Sequence, residues 1–190
     1  MTEMALLNTA PLPVKLRIED YLLLDASGAF EAYRKTELID GEIYFMNAQH
    51  RPHARIKSRL FRVMAAALDK LGLGLEAMVE GSVAMPPDGA PEPDIVVTSE
   101  PEGDGLIPLA SVRLIVEISD TTLAFDTKRK TALYARNHVP EYWIVDVKGA
   151  TIHQMWGPET VGYAQSRAVA FGERIEAVTV AGLVVERAGQ

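Results

Sequence analysis

Two short apolar runs, EPDIVVT (residues 92–98) and RLIVEIS (residues 113–119), each carry an acid where a buried strand should carry none. Both runs are rich in β-branched residues and are bounded by chain breakers, the pattern of core strands. Asp94 opens the first, and Glu117 stands between Val116 and Ile118 in the second. A lone carboxylate in an apolar interior is strongly unfavourable unless a metal, a proton or a cation compensates it. Any fold open to this chain must therefore bring such a partner to these two strands.

The stretch FDTKRKTALYARN supplies a candidate. A helix over 127–138 with Asp126 as its N-cap places Lys130 about one turn in. Each residue also has an ordinary explanation. Asp94 can cap a turn after Pro93, Glu117 can be an edge-strand acid or pair with an arginine, and Asp126 can be no more than a cap. Lys130 can pair with Asp126 on the surface at i+4. Lys128 is the competing lysine, and a phase error in the helix would exchange the two.

The ordered set Pro93-Asp94, Glu117-Ile118-Ser119, Asp126, Lys130 and Tyr134, then VPEYWIVD (residues 139–146), resembles the family of putative restriction endonucleases in the PD-(D/E)XK nuclease superfamily. The likeness extends to ELIDGEI (residues 37–43) and His53 and covers roughly residues 18–157. In the standard motif a lysine stands two residues after the second acid; here that place is Ser119. The chain is similar to a variant whose lysine has moved to the following helix, which matches Lys130. The resemblance implies a restriction-endonuclease-like core and metal-assisted phosphodiester hydrolysis. Asp94, Glu117 and the backbone carbonyl of Ile118 would hold Mg²⁺ or Mn²⁺, Lys130 would act on the transition-state charge, and Glu37 would be an accessory acid. His53, Ser119, Asp126 and Tyr134 would support them. On spacing alone, Glu37 reads first as an exposed strand acid, and His53 as a structural histidine.

The rest of the chain fits one α/β (α+β) domain with a mixed sheet, flanking helices and extra C-terminal antiparallel strands. A loose arm over 1–14 precedes a domain over 15–190, a length that supports a sizeable core. Helices are expected over 17–26, with Ile18, Tyr21 and Leu22 inward, and over 52–72, with Ile56, Leu60, Val63, Met64, Ala67 and Leu71 on one face. Arg55, Arg59 and Arg62 fall on the opposite face, either as a solvated stripe or as phosphate contacts. Asp40-Gly41 predicts a tight hairpin within 36–46, and Lys148-Gly149 a second one. Further strands are expected over 75–85, 163–169, 174–178 and 181–190.

Cysteine is absent, which excludes disulfides and thiolate metal sites and fits a reducing cytoplasm. No apolar run is long enough to span a membrane and no secretory signal is evident. The net charge of −7 argues against a general nucleic-acid coat protein, yet not against an enzyme that recruits metal first. Phosphate-binding loops, dinucleotide fingerprints and serine elbows are missing. The expectation is a Mg²⁺-dependent DNA endonuclease acting as a homodimer, since two sites match duplex symmetry. A catalytically silent module of the same fold, and a hydrolase of RNA or small phosphodiesters, are the other readings.

Overall fold

A β-hairpin and three helical stretches are arranged around a six-stranded mixed sheet. The computed structural model describes residues 12–33, 35–46 and 48–189, so most of the expected arm over 1–14 lies outside it. The first helix, α1 (Ile18–Ala26), buries Ile18 and Tyr21, while Leu22 is exposed against expectation. The hairpin of β1 (Thr36–Ile39) and β2 (Glu42–Phe45) turns at Asp40-Gly41, both with positive φ, as a type I′ turn requires.

Helix α2 (Arg51–Leu71) ends at Gly72 in the left-handed region. Its buried face is His53, Lys57, Leu60, Met64 and Leu68, so Val63 is left exposed. The face is rotated from the expected one because the helix beds on the sheet and the C-terminal segment. The contact, and not the apolar count, selects which stripe turns inward.

The expected strand over 75–85 is broken into β3 (Glu76–Val79) and β4 (Val83–Ala84) at Glu80, whose φ is 55°. After it come β5 (Ile95–Thr98), the short β6 (Ile107–Pro108) that pairs with β4, and β7 (Val112–Ser119). A continuous helical stretch follows: α3 (Leu123–Phe125), a π-helical turn (Asp126–Lys130) and α4 (Thr131–Arg136). Next are β8 (Glu141–Asp146), β9 (Thr151–Pro158) and β10 (Tyr163–Ala170). The β8–β9 connection spans four residues rather than Lys148-Gly149 alone. The last pair, β11 (Ile175–Glu176) and β12 (Val184–Val185), is shorter than the sequence suggests.

The sheet order is β10-β9-β8-β7-β5-β3, with β7 and β8 parallel and every other pair antiparallel. The helix between β7 and β8 makes the crossover that parallel neighbours require. Both faces of β7 are covered. Leu114, Val116 and Ile118 pack towards α2, and Ile115 packs towards α4 with Leu133, Tyr134 and Tyr142. Glu117 and Ser119 share the face of Ile115 by strand alternation.

A carboxylate that no sequence pattern marks, Glu141, ties the C-terminal segment to this sheet. Fully buried, it accepts bonds from Trp143 Nε1 (2.6 Å), Gln154 Nε2 (2.5 Å), the N–H groups of Val178 and Thr179 (both 2.8 Å) and Thr179 Oγ1 (2.9 Å). Neutral donors alone satisfy it, as a structural buried acid needs. Asp94 and Glu117 are satisfied differently.

Candidate active site

Asp94 immediately precedes β5. The register Ile95↔Val116 places it opposite Glu117 on the neighbouring strand. Both carboxylates line one cavity of about 90 Å³, together with Lys35, Glu37, Asp126 and Lys130. β7 is a central strand, which removes the edge-strand explanation of Glu117.

Asp94 Oδ2 accepts the Ile118 N–H at 2.8 Å and lies 3.1 Å from His53 Nε2. Its Oδ1 lies 3.3 Å from Lys57 Nζ and 3.4 Å from Gln49 Nε2. Burial pushes this carboxyl up, but His53, the Ile118 amide and Lys57 outweigh it, so the group is held below its ordinary value. The N–H and C=O of a strand residue point to the same side. The Ile118 carbonyl is therefore turned towards the end of β5, where Asp94 sits, and away from β8.

Glu117 Oε1 accepts from Lys130 Nζ at 2.8 Å and from Tyr134 Oη at 2.7 Å. Its Oε2 accepts no protein hydrogen bond among the described residues. Burial pushes the carboxyl up to about 8, with Lys130 pulling the other way. Burial likewise works against the Lys130 charge, yet Glu117, Glu37 and Asp126 together raise the ammonium above its ordinary value. Of the two groups, the lysine keeps its proton to the higher pH. Glu37 comes from β1 and is fully buried, so it is not the exposed strand acid that spacing alone allows. Lys130 donates to its Oε1 at 3.2 Å; Oε2, although 3.0 Å from the ammonium, accepts no hydrogen bond among the described residues. Arg129 and Arg136 pair with Asp40 and Glu42 and so dock the hairpin on the helix.

Asp126 is not an N-cap. The helix begins three residues earlier, and Asp126 lies inside it, accepting from Ser119 Oγ (2.7 Å) and Thr122 Oγ1 (2.6 Å). Burial raises its carboxyl above the ordinary value. Two polar side chains on the incoming strand and loop capture this acid, so it has no role at the helix start. Ser119, at the standard lysine place, thus serves Asp126 rather than Glu117. The Thr131 N–H bonds to the Asp126 carbonyl, an i→i+5 link that marks the π turn. Such turns occur frequently at functional sites. Here it presents Asp126 and Lys130 inward and leaves Lys128 in solvent.

Lys35, Lys57 and Glu80 join the site without having been singled out by the sequence. Lys57 Nζ bonds Gln49 Oε1 (2.6 Å) and Glu80 Oε1 (2.7 Å) as well as meeting Asp94. Lys35 Nζ lies 3.2 Å from Glu92 Oε1 and 3.6 Å from Glu37 Oε1. Of these, only Lys57 left a trace: it is one turn from His53 and in line with Leu60 and Met64, a lysine on the buried stripe. Among the described residues, the Nδ1 atom of His53 is buried without a partner.

Among the described residues no three His, Asp or Glu side chains converge as a ready-made metal cluster. The oxygen donors nevertheless suit a hard divalent cation. Mg²⁺ takes one or two carboxylates and leaves its other positions to water and substrate. Asp94, Glu117 and the Ile118 carbonyl fit that need, and the undonated Oε2 of Glu117 points the same way.

No protein of curated function is significantly similar to the chain. Among solved structures, the crystal structure of a putative nuclease belonging to DUF820 from Anabaena variabilis is similar over 87% of this chain and 89% of that one, with a TM-score of 0.62 and 18% identity. At that identity the likeness concerns the fold, a restriction-endonuclease-like mixed sheet. No helix among the described residues is long and apolar enough to cross a membrane. The sequence pattern of Uma2, described as putative restriction endonuclease, matches residues 18–187, nearly the whole chain, and the chain belongs to that family.

Proposed function

We propose that the protein is a metal-dependent phosphodiesterase of nucleic acid, with DNA as its substrate. The observation that carries this reading is the cross-strand pair Asp94 and Glu117, facing one cavity with the Lys130 ammonium fixed on Glu117. Asp94, Glu117 and the Ile118 carbonyl would hold Mg²⁺ or Mn²⁺. When bound, the ion supplies Lewis-acid polarisation of the phosphoryl group and makes water more acidic.

The chain's own groups divide the remaining work. Lys130 offers a positive charge at the cavity wall, where charge grows on the phosphoryl oxygens during attack. Glu37 keeps that ammonium oriented, one oxygen accepting its hydrogen bond and the other lying 3.0 Å from it. Tyr134 and His53 hold the two carboxylates in place from behind. Ser119 cannot replace a lysine electrostatically; it fixes Asp126, whose charge helps keep Lys130 protonated.

A basic face supports an anionic polymer as substrate. Arg59, Arg62 and Lys70 of α2 line a surface groove with Arg187 and one acid, Glu186, which pairs with Arg174 outside the groove. On a chain of net charge −7 such a concentration is local.

The test is cleavage of plasmid DNA, RNA and a small activated phosphodiester, each with Mg²⁺, Mn²⁺ or EDTA, by wild type, Asp94→Asn and Glu117→Gln. Metal-dependent cleavage of DNA that both variants abolish supports the reading. Cleavage of RNA or the small ester alone moves the substrate class. One observation favours a catalytically silent module instead: lysines already neutralise the carboxylates Asp94, Glu117 and Glu37 of the cavity wall. Absence of cleavage together with absence of metal binding would establish that alternative.

A further inference from the structure

Two-metal phosphodiesterases hold ions about 3.5–4 Å apart, sharing a carboxylate, with a further acid on the far side of each ion. One further acid, Glu37, lines this cavity, and a second, Glu80, lies outside its lining and is joined to Asp94 through Lys57. Glu80 stands beyond Asp94, and Glu37 beyond Glu117. In each gap, however, lies a lysine ammonium. Lys57 Nζ is 3.3 Å from Asp94 Oδ1 and 2.7 Å from Glu80 Oε1. Lys130 Nζ is 2.8 Å from Glu117 Oε1 and 3.0 Å from Glu37 Oε2.

Resting on the metal-site reading above, we propose that Lys57 is a built-in cation that occupies the second-ion position beside Asp94, so that the site binds a single divalent ion. Lys130 closes the opposite flank in the same way.

Three features set Lys57 apart from an ordinary surface lysine. It is buried on the face of α2 that packs against the sheet, at 9% exposure, where an uncompensated ammonium would be strongly unfavourable. Its third contact, Gln49 Oε1 at 2.6 Å, completes a three-oxygen cage. Finally, Glu80 is held at φ 55°, a left-handed backbone that a non-glycine residue adopts only when its surroundings impose it. That backbone ends β3 and turns the Glu80 carboxylate to Lys57. The cage is thus assembled from α2, the preceding loop and a strained corner of the sheet. A compact monovalent charge there keeps Asp94 ionised and oriented while repelling a second divalent ion.

The test is Mn²⁺ binding to the intact protein, followed by titration calorimetry and by electron paramagnetic resonance, which needs no turnover. Wild type should bind one magnetically isolated Mn²⁺, lost in Asp94→Asn. Lys57→Met should admit a second, spin-coupled Mn²⁺ and bind the first more tightly, on the order of tenfold, because a like charge beside the ion is gone. Lys57→Arg, which keeps the charge, should bind one. Glu80→Gln should keep one ion at unchanged affinity, since Glu80 serves the lysine and not the metal. Two coupled ions in wild type, one ion in folded Lys57→Met, or loss of the ion in Glu80→Gln would each overturn the proposal while leaving the metal site standing. No Mn²⁺ in wild type would remove the metal site and this proposal together. Should Lys57→Met fail to fold, the wild-type count and Glu80→Gln still decide it.

Discussion

The Lys130 ammonium lies 2.8 Å from Oε1 of Glu117, although one residue belongs to a central strand and the other to the helix that follows it. The helical turn Asp126–Lys130 presents Lys130 inward and Lys128 to solvent. Lys130→Ala should therefore keep metal binding and lose most DNA cleavage, while Lys128→Ala does much less. The same Lys130 variant should also be less stable in EDTA by roughly 3–5 kcal/mol, because two buried carboxylates lose their counter-ion. Plasmid cleavage, metal titration and urea denaturation of both variants check these outcomes. Normal cleavage by Lys130→Ala would refute the migrated-lysine mechanism.

Glu117 should give the metal-free protein a characteristic pH dependence. Its folded value, about 8, is above the ordinary carboxyl value of 4.5. The native state therefore holds the proton more tightly than the unfolded chain. The resulting stability is complete below about pH 4.5 and is lost as pH rises through about 8. Glu117→Gln removes the titration. Compared with it, wild type in EDTA should lose up to a few kcal/mol between pH 5 and 8. Parallel pH profiles for the two proteins in urea would show that Glu117 titrates normally.

Arg59 and Arg62 should contribute to DNA affinity without touching the chemistry. The double change Arg59→Glu, Arg62→Glu should raise KM and leave kcat nearly intact. It should lower the salt slope of binding by about 2, one unit for each phosphate that the protein no longer neutralises. Fluorescence anisotropy at several salt concentrations measures that slope. An unchanged slope would mean that the stripe is merely solvated.

Cleavage of both strands by one small domain requires two sites, and a two-fold dimer presents them with the symmetry of the duplex. Light scattering should report a homodimer, at least on DNA. A monomer that makes only single-strand nicks at all protein concentrations would contradict this.

The two strand acids and the hairpin at Asp40-Gly41 were legible because each follows from local chemistry. A carboxylate among β-branched residues demands a partner, and Asp-Gly prefers positive φ. The approach of Lys130 to the strand acids was expected too, through resemblance, although the helix start that first gave its phase was wrong. Asp126 reads as an N-cap because its side chain suits that role. Only the approach of Ser119 and Thr122 turned it into an acid inside the helix. Other features were decided entirely by tertiary structure. The buried stripe of α2 shifted to include Lys57 because the helix had to bed on the sheet and reach Asp94. One expected strand broke at Glu80, where the chain turns a carboxylate to that same lysine. Glu37 became an interior acid once the hairpin docked on Arg129 and Arg136. A sequence specifies which side chains carry charge. The pairing of those charges depends on distances between elements far apart in the chain, and only packing sets them.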